Sequence, residues 1–158
     1  MLIANFGGSM VSIVMGSKSD LPVMEETAKQ LKEFGISYEI KIMSAHRNPE
    51  IVRKFAQSAE KRKVEVIIAG AGGAAALPGV ISAYSLIPVI GVPIKSELSG
   101  LDSLLSIAQM PKGVPVATMA IGQAGAINAA IFAAEIIALK NKKVKNKLLK
   151  FKRILNAK

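Results

Sequence analysis

In Val11-Ser-Ile-Val-Met-Gly-Ser-Lys-Ser-Asp-Leu-Pro22 a nearly unbroken apolar run stops at a glycine and gives way at once to helix-start residues. A run of that kind, apolar on both alternating sides, is what a strand covered on both faces of a sheet looks like. Gly16 makes the tight turn. Ser19 or Asp20 then serves as an N-cap and Pro22 suits the first helical turn, where its missing N–H is no loss. Leu21, Met24, Ala28, Leu31 and Phe34 recur at helical spacing and Gly35 closes the helix. The unit is strand, turn, helix, with the turn rich in hydroxyls.

The same unit recurs along the chain. Ile36, Tyr38, Ile40 and Ile42 alternate with polar residues, which predicts a second strand near a sheet edge or half covered. Asn48-Pro49 starts a helix carrying Ile51, Val52, Phe55 and Ala59 on one face. Strands are predicted over 64–69, 88–92 and 116–121, with helices over about 74–83, 101–110 and 124–139. Strands alternating with helices predict a parallel sheet joined by right-handed crossovers. About five strands makes the fold class α/β, a flavodoxin-like three-layer doubly wound sandwich with a central parallel sheet. No linker or repeat divides residues 11–139, so they read as one domain, in keeping with a length of 158 residues. In such sheets ligands bind beyond the carboxyl ends of the strands.

Composition narrows the function. There is no cysteine and a single histidine, His46, with 11 acidic residues in no spaced cluster, so neither a disulfide scaffold nor a metal site is expected. The formal charge is +10, yet much of the excess lies in residues 140–158. There Val144, Leu148, Leu149 and Phe151 recur at roughly helical spacing, which reads as a terminal helix with a solvated lysine face. Nucleic-acid binding is therefore not expected, because no basic stripe interleaved with aromatics occurs elsewhere. Residues 66–94 carry no charge, but eight glycines and prolines break them into pieces that a bilayer would leave unsatisfied. No membrane span is expected. Residues 1–10 read as a leader, with Met10 as an alternative start, and lack the pattern of a signal peptide. The absence of cysteine agrees with a cytoplasmic location, which is the expectation.

Three turns concentrate the chemistry. Gly16-Ser-Lys-Ser-Asp20 offers backbone N–H groups, hydroxyls and a helix start to an anion, while Asp20 is either a cap or an acceptor for ribose hydroxyls. Ser44-Ala-His-Arg47 sets the lone imidazole beside a guanidinium at the end of a strand. Imidazole can give and take protons at neutral pH, and Arg47 can clamp phosphate or carboxylate. The glycines of residues 70–79 allow close backbone approach to a ligand or close helix packing. Gly122-Gln-Ala-Gly125 reads as a packing element, and Met110 and Met119 as core or interface filler. The two alanine-rich helices have little large apolar mass and almost no charge, as subunit contacts do, so a symmetric homo-oligomer is expected.

Taken together, GSKSD at 16–20, SAHRNP at 44–49, AGAGGAA at 69–75, LPG at 77–79, GVP at 91–93, DSLLSIAQMPKGVPVATMAIG at 102–122 and AGAINAA at 124–130 resemble the PurE family from about residue 11 to residue 139. The resemblance implies a homo-octamer that uses neither metal nor organic cofactor. It also implies an isomerase of de novo purine biosynthesis, a mutase that moves a carboxylate on an aminoimidazole ribonucleotide from the exocyclic nitrogen to a ring carbon. By position, His46 matches the catalytic histidine and Ser17, Asp20 and Arg47 match substrate-binding residues. Ser44, Gly72, Gly73 and Ala74 would help line the pocket. Ala76 stands where bacterial members commonly carry a second histidine. Two rival activities remain: direct carboxylation of the aminoimidazole ribonucleotide by carbon dioxide, which GSKSD and AGAGGAA disfavour, and non-catalytic ribonucleotide binding.

Overall fold

The computed structural model describes residues 2–157; Met1 and Lys158, the outer ends of the expected leader and tail, lie outside the described residues. In chain order the elements are β1 (Leu2–Ala4), β2 (Met10–Met15), a short 3-10 turn (Lys18–Asp20), α1 (Leu21–Phe34), β3 (Ser37–Ile42), α2 (Pro49–Ser58) and β4 (Val64–Gly72). There follow α3 (Leu77–Tyr84), β5 (Val89–Ile94), α4 (Leu101–Ala108), β6 (Ala117–Thr118), α5 (Gln123–Ala138) and α6 (Lys142–Asn156).

The sheet has six strands in the order β1-β3-β2-β4-β5-β6. All neighbours from β3 to β6 are parallel, and β1 pairs antiparallel with β3, Leu2 opposite Ile40. Without β1, the parallel strands stand in the order 2-1-3-4-5 of the flavodoxin-like arrangement. The sequence predicted about five strands. The sixth is formed by residues of the expected leader, which had no apolar alternation to announce it because an edge strand this short is fixed by pairing with β3 rather than by its own burial.

Alternate residues of each strand feed two cores. Val11, Ile13 and Met15 of β2 face α1, α5 and α6, while Val14 joins Val52 and Phe55 of α2, Ile81 of α3 and Ile107 of α4 on the other face. Burying a large aliphatic side chain is worth about 1.5–3 kcal/mol, so these two layers supply most of what holds the sheet between its helices.

Helix α1 ends as its sequence requires: Gly35 has φ 68° and its N–H reaches the carbonyls of Leu31 and Lys32. Helix α3 starts at Leu77 rather than near residue 74, because Gly73 (φ 60°) and Ala75 (φ 34°) hold left-handed backbone that a helix excludes. In α5, Ala126, Ala129, Ala130, Ala133 and Ala134 are buried within the subunit against the core that α1 shares, and Thr27 Oγ1 donates to the Ala126 carbonyl at 2.9 Å. The alanine stripe of α5 is thus an internal packing face, not the subunit contact that the sequence suggested. Gly125 confirms that this segment is a packing element: a Cβ there would collide with the backbone of Ala120.

The predicted terminal helix is present. Asn141 Oδ1 caps it by accepting from the N–H groups of Lys143 and Val144, Val144 and Leu148 are buried, and Phe151 meets Phe34 edge-on at 5.6 Å. Leu149, expected on the packing face, is exposed. Strand β3 also departs from expectation: Glu39 is buried, accepting from Ser12 Oγ at 2.6 Å and paired with Arg62, while Lys41 Nζ lies 3.5 Å from its other oxygen. Among the described residues no helix is long and apolar enough to cross a membrane.

Candidate active site

A cavity of about 320 Å3 opens at the carboxyl ends of β2, β3, β4 and β5. It straddles the boundary between β2 and β4, where the strand order reverses and doubly wound sheets leave a crevice for ligands.

The turn after β2 forms its first wall. Ser17 has extended backbone and caps the 3-10 turn, its Oγ accepting from the Ser19 N–H at 3.3 Å and the Ser19 hydroxyl at 2.9 Å. Asp20 Oδ2 accepts from the Ser17 N–H at 3.0 Å, which completes a capping box. Ser17 thus caps the 3-10 turn, while Asp20, one of the two residues the sequence offered, holds the N-cap position of α1 without a side-chain cap bond to that helix. Asp20 is buried, and burial raises its carboxyl above the usual value against the opposing pull of hydrogen bonds from Ser17, Ser19 and Gly16. Its Oδ1 has only the Ser19 hydroxyl, at 3.4 Å, and keeps room for a further donor.

The turn after β3 carries the imidazole. The Asn48 N–H bonds the Ser44 carbonyl at 2.9 Å and the Arg47 N–H bonds Ser44 Oγ at 3.3 Å, so Ser44 fixes the turn on which His46 stands. Asn48 Oδ1 then accepts from the Ile51 N–H and starts α2. His46 is exposed and lines the cavity with Ser17 and Asp20. Arg47 does not line it; its Nη2 reaches the Gly16 carbonyl at 3.4 Å and ties the two turns together at the rim.

The third wall is the end of β4. Gly72 lines the cavity with Ala71, Ala75 and Ala76. A Cβ at Gly72 would sit 3.4 Å from the Ile94 carbonyl, an ordinary contact, so a glycine here leaves open space beside the end of β5. Ala74 points elsewhere: its carbonyl accepts from Ser106 at 2.6 Å, and it lines a neighbouring depression with Tyr84 and Met110. Gly73 stays outside the lining. Of the residues expected at the site, Ser17, Asp20, Ser44, His46 and Gly72 come together.

Sequence reasoning missed Lys95 and Ser96, which close the cavity from the end of β5. They fall between the strand predicted over 88–92 and the helix predicted over 101–110, outside every element the sequence marks. The available signal was their place directly after a buried strand, the same place that singled out the other turns. Among the described residues no group of three or more acidic, histidine or cysteine side chains could hold a metal ion.

Fold and cavity define a doubly wound α/β protein with a small-ligand site at its switch point, bearing an exposed imidazole beside a capped hydroxyl-rich turn. A model described as AIR carboxylase matches residues 10–158, which takes in the basic terminal helix as well as the sandwich. The N5-carboxyaminoimidazole ribonucleotide mutase of Pyrococcus abyssi is 59% identical over 147 residues, covering 92% of this chain and 83% of that protein. The mutase of the same name from Vibrio cholerae is 54% identical over 143 residues, covering 90% and 89%. The crystal structure of Treponema denticola PurE superposes with a TM-score of 0.86 at 31% identity, over 95% of this chain and 93% of that one. The chain belongs to the AIR carboxylase family, also called PurE.

Proposed function

We propose that this protein is the N5-carboxyaminoimidazole ribonucleotide mutase of purine biosynthesis, an isomerase that converts its substrate to 4-carboxy-5-aminoimidazole ribonucleotide. The observation that carries this assignment is the chain's one histidine standing exposed in the same cavity as Ser17 and Asp20, in a chain so similar to proteins of that name.

The chemistry follows from the walls. The ribonucleotide phosphate lies against the turn after β2, within reach of Arg47 at the rim, and ribose hydroxyls donate to Asp20. Ser44, Gly72, Gly73 and Ala74 support the pocket, Ser44 and Gly72 from the lining and the other two from the turn behind it. His46, as imidazolium, gives a proton to the exocyclic nitrogen while the N–C bond breaks and its electron pair returns to that nitrogen. Carbon dioxide is released into the pocket. The neighbouring ring carbon attacks it, forming the new C–C bond, and its proton passes to the now neutral His46. Atoms balance, no redox partner is needed, and the imidazolium is restored for the next turnover. Holding carbon dioxide beside the ring is what keeps the second step ahead of escape.

The assignment includes action as a homo-oligomer, with an octamer expected, and a cytoplasmic location in keeping with a cysteine-free chain. The deciding experiment supplies each carboxyl donor separately and follows product absorbance. Product from the N5-carboxylated substrate without added bicarbonate supports the mutase. Product only from the uncarboxylated ribonucleotide with carbon dioxide overturns it in favour of a carboxylase, and binding without either conversion leaves a non-catalytic module.

A further inference from the structure

Lys95 and Asp20 are the two formally charged side chains lining the cavity, and they stand on different walls. Lys95 is exposed, and among the described residues its ammonium has no carboxylate within ion-pair distance. Its backbone is well anchored. Ser96 Oγ donates to Asp102 Oδ2 at 2.5 Å, and Ser103 Oγ donates to the Ile94 carbonyl at 2.8 Å. Further on, the loop closes on itself, with the position of a Gly100 Cβ at ordinary contact distance, 3.4 Å, from Lys95 Cα. A cation carried on an anchored loop and left unpaired in a ligand cavity is poised for an anion from outside.

Its position says which anion. Across the mouth of the sheet the turns follow the order β3, β2, β4, β5. The hydroxyl-rich turn and Arg47 occupy the β2–β3 side, whereas Lys95 comes from β5, two strands from β2 and so roughly 10 Å away. On the proposed mechanism the base lies where His46 reaches its exocyclic nitrogen, so a ribonucleotide whose phosphate is at the β2 turn sets its base over β4, with the imidazole on the β3 side and Lys95 facing it from β5. The anion at that end is the carboxylate. Ala76, also in the lining, brings no imidazole to this side, and Lys95 is the cationic side chain that the lining places there.

We propose that Lys95 binds the carboxylate that the reaction moves, and that it sets the preference of the site for carboxylated over uncarboxylated aminoimidazole ribonucleotide. The assignment builds on the mutase function and adds a residue to the same site. A charge-assisted hydrogen bond of this kind is worth about tenfold in affinity.

The test measures dissociation constants of the 4-carboxylated and uncarboxylated ribonucleotides by calorimetry, at low ionic strength, for the parent, Lys95→Gln and Lys95→Arg. Lys95→Gln is expected to weaken the carboxylated ligand about tenfold and leave the uncarboxylated one within about twofold, with Lys95→Arg close to the parent. Equal losses for both ligands would overturn the assignment, since a phosphate contact or a merely structural role moves both together. Unchanged affinities in Lys95→Gln would overturn it as well, as would a parent with no preference between the two ligands. Turnover of the parent is read separately: a parent that binds with the expected preference but does not interconvert the isomers defeats the mutase assignment and leaves the Lys95 result standing.

Discussion

His46 stands on a turn that Ser44 holds from both its carbonyl and its hydroxyl, with the ring open to the cavity. Replacing it by Asn keeps the turn and removes the group proposed to carry the proton. His46→Asn is therefore expected to bind the carboxylated ribonucleotide within a few-fold of the parent by calorimetry and to lose turnover by about 10³-fold or more; substantial residual turnover would remove the imidazole from the mechanism. Asp20 makes a prediction of a different kind. Its folded-state pKa is raised above 3.8 by burial, so the native state holds the proton more tightly than the unfolded chain does. Stability linked to this group is then fully present below 3.8 and is lost as pH rises through the folded pKa. Asp20→Asn carries no charge and retains an acceptor for the Ser17 N–H. Urea titrations across the acid range should find the variant more stable than the parent near neutral pH, with the difference closing towards the acid end. A parent that instead gains stability over that window would show that the hydrogen bonds, not burial, dominate.

Among the elements, α6 is the one most at odds with its own charges. Lys142, Lys143 and Lys145 crowd the N-terminal turn, where the helix dipole disfavours cations, and no acidic residue occurs in the helix. Asn141 and the apolar contacts of Val144, Leu148 and Phe151 hold it in place. Lys143→Glu puts a carboxylate in the first turn and four residues before Lys147, so it is expected to stabilise the protein by about 0.5–1 kcal/mol, read as a higher urea midpoint with unchanged slope. A lower midpoint would mean that Lys143 has a partner not found within this subunit. Strand β3 shows why alternation alone misjudged burial. Glu39 and Ser37 read as solvent-facing, yet Glu39 is buried because Arg62, from the turn between α2 and β4, covers it and lies over the Phe55 ring at 4.5 Å. A buried carboxylate is tolerated only when paired, and its partner here lies 23 residues along the chain.

At the scale of the whole molecule, large apolar side chains remain uncovered: Leu101 and Leu105 lie a turn apart on α4, both at least half exposed, and Leu98 and Tyr84 are exposed as well. Light scattering on the purified protein is expected to give a mass eight times the 16.7 kDa of one chain, and Leu101→Glu with Leu105→Glu is expected to lower it. A monomeric parent would refute the oligomer. The amino-acid sequence by itself determined the sandwich and three of the cavity's turns, because strand and helix periods, glycine and proline stops, and hydroxyl-rich turns are local properties that each segment carries alone. Only the tertiary structure decided that residues 2–4 join the sheet, that the alanines of α5 are spent inside the subunit, that Ser17 caps the turn ahead of α1, and that Lys95 closes the pocket from the end of β5. Each of these depends on which distant segments become neighbours, and that is set by sheet order and packing, which no single stretch of the chain encodes.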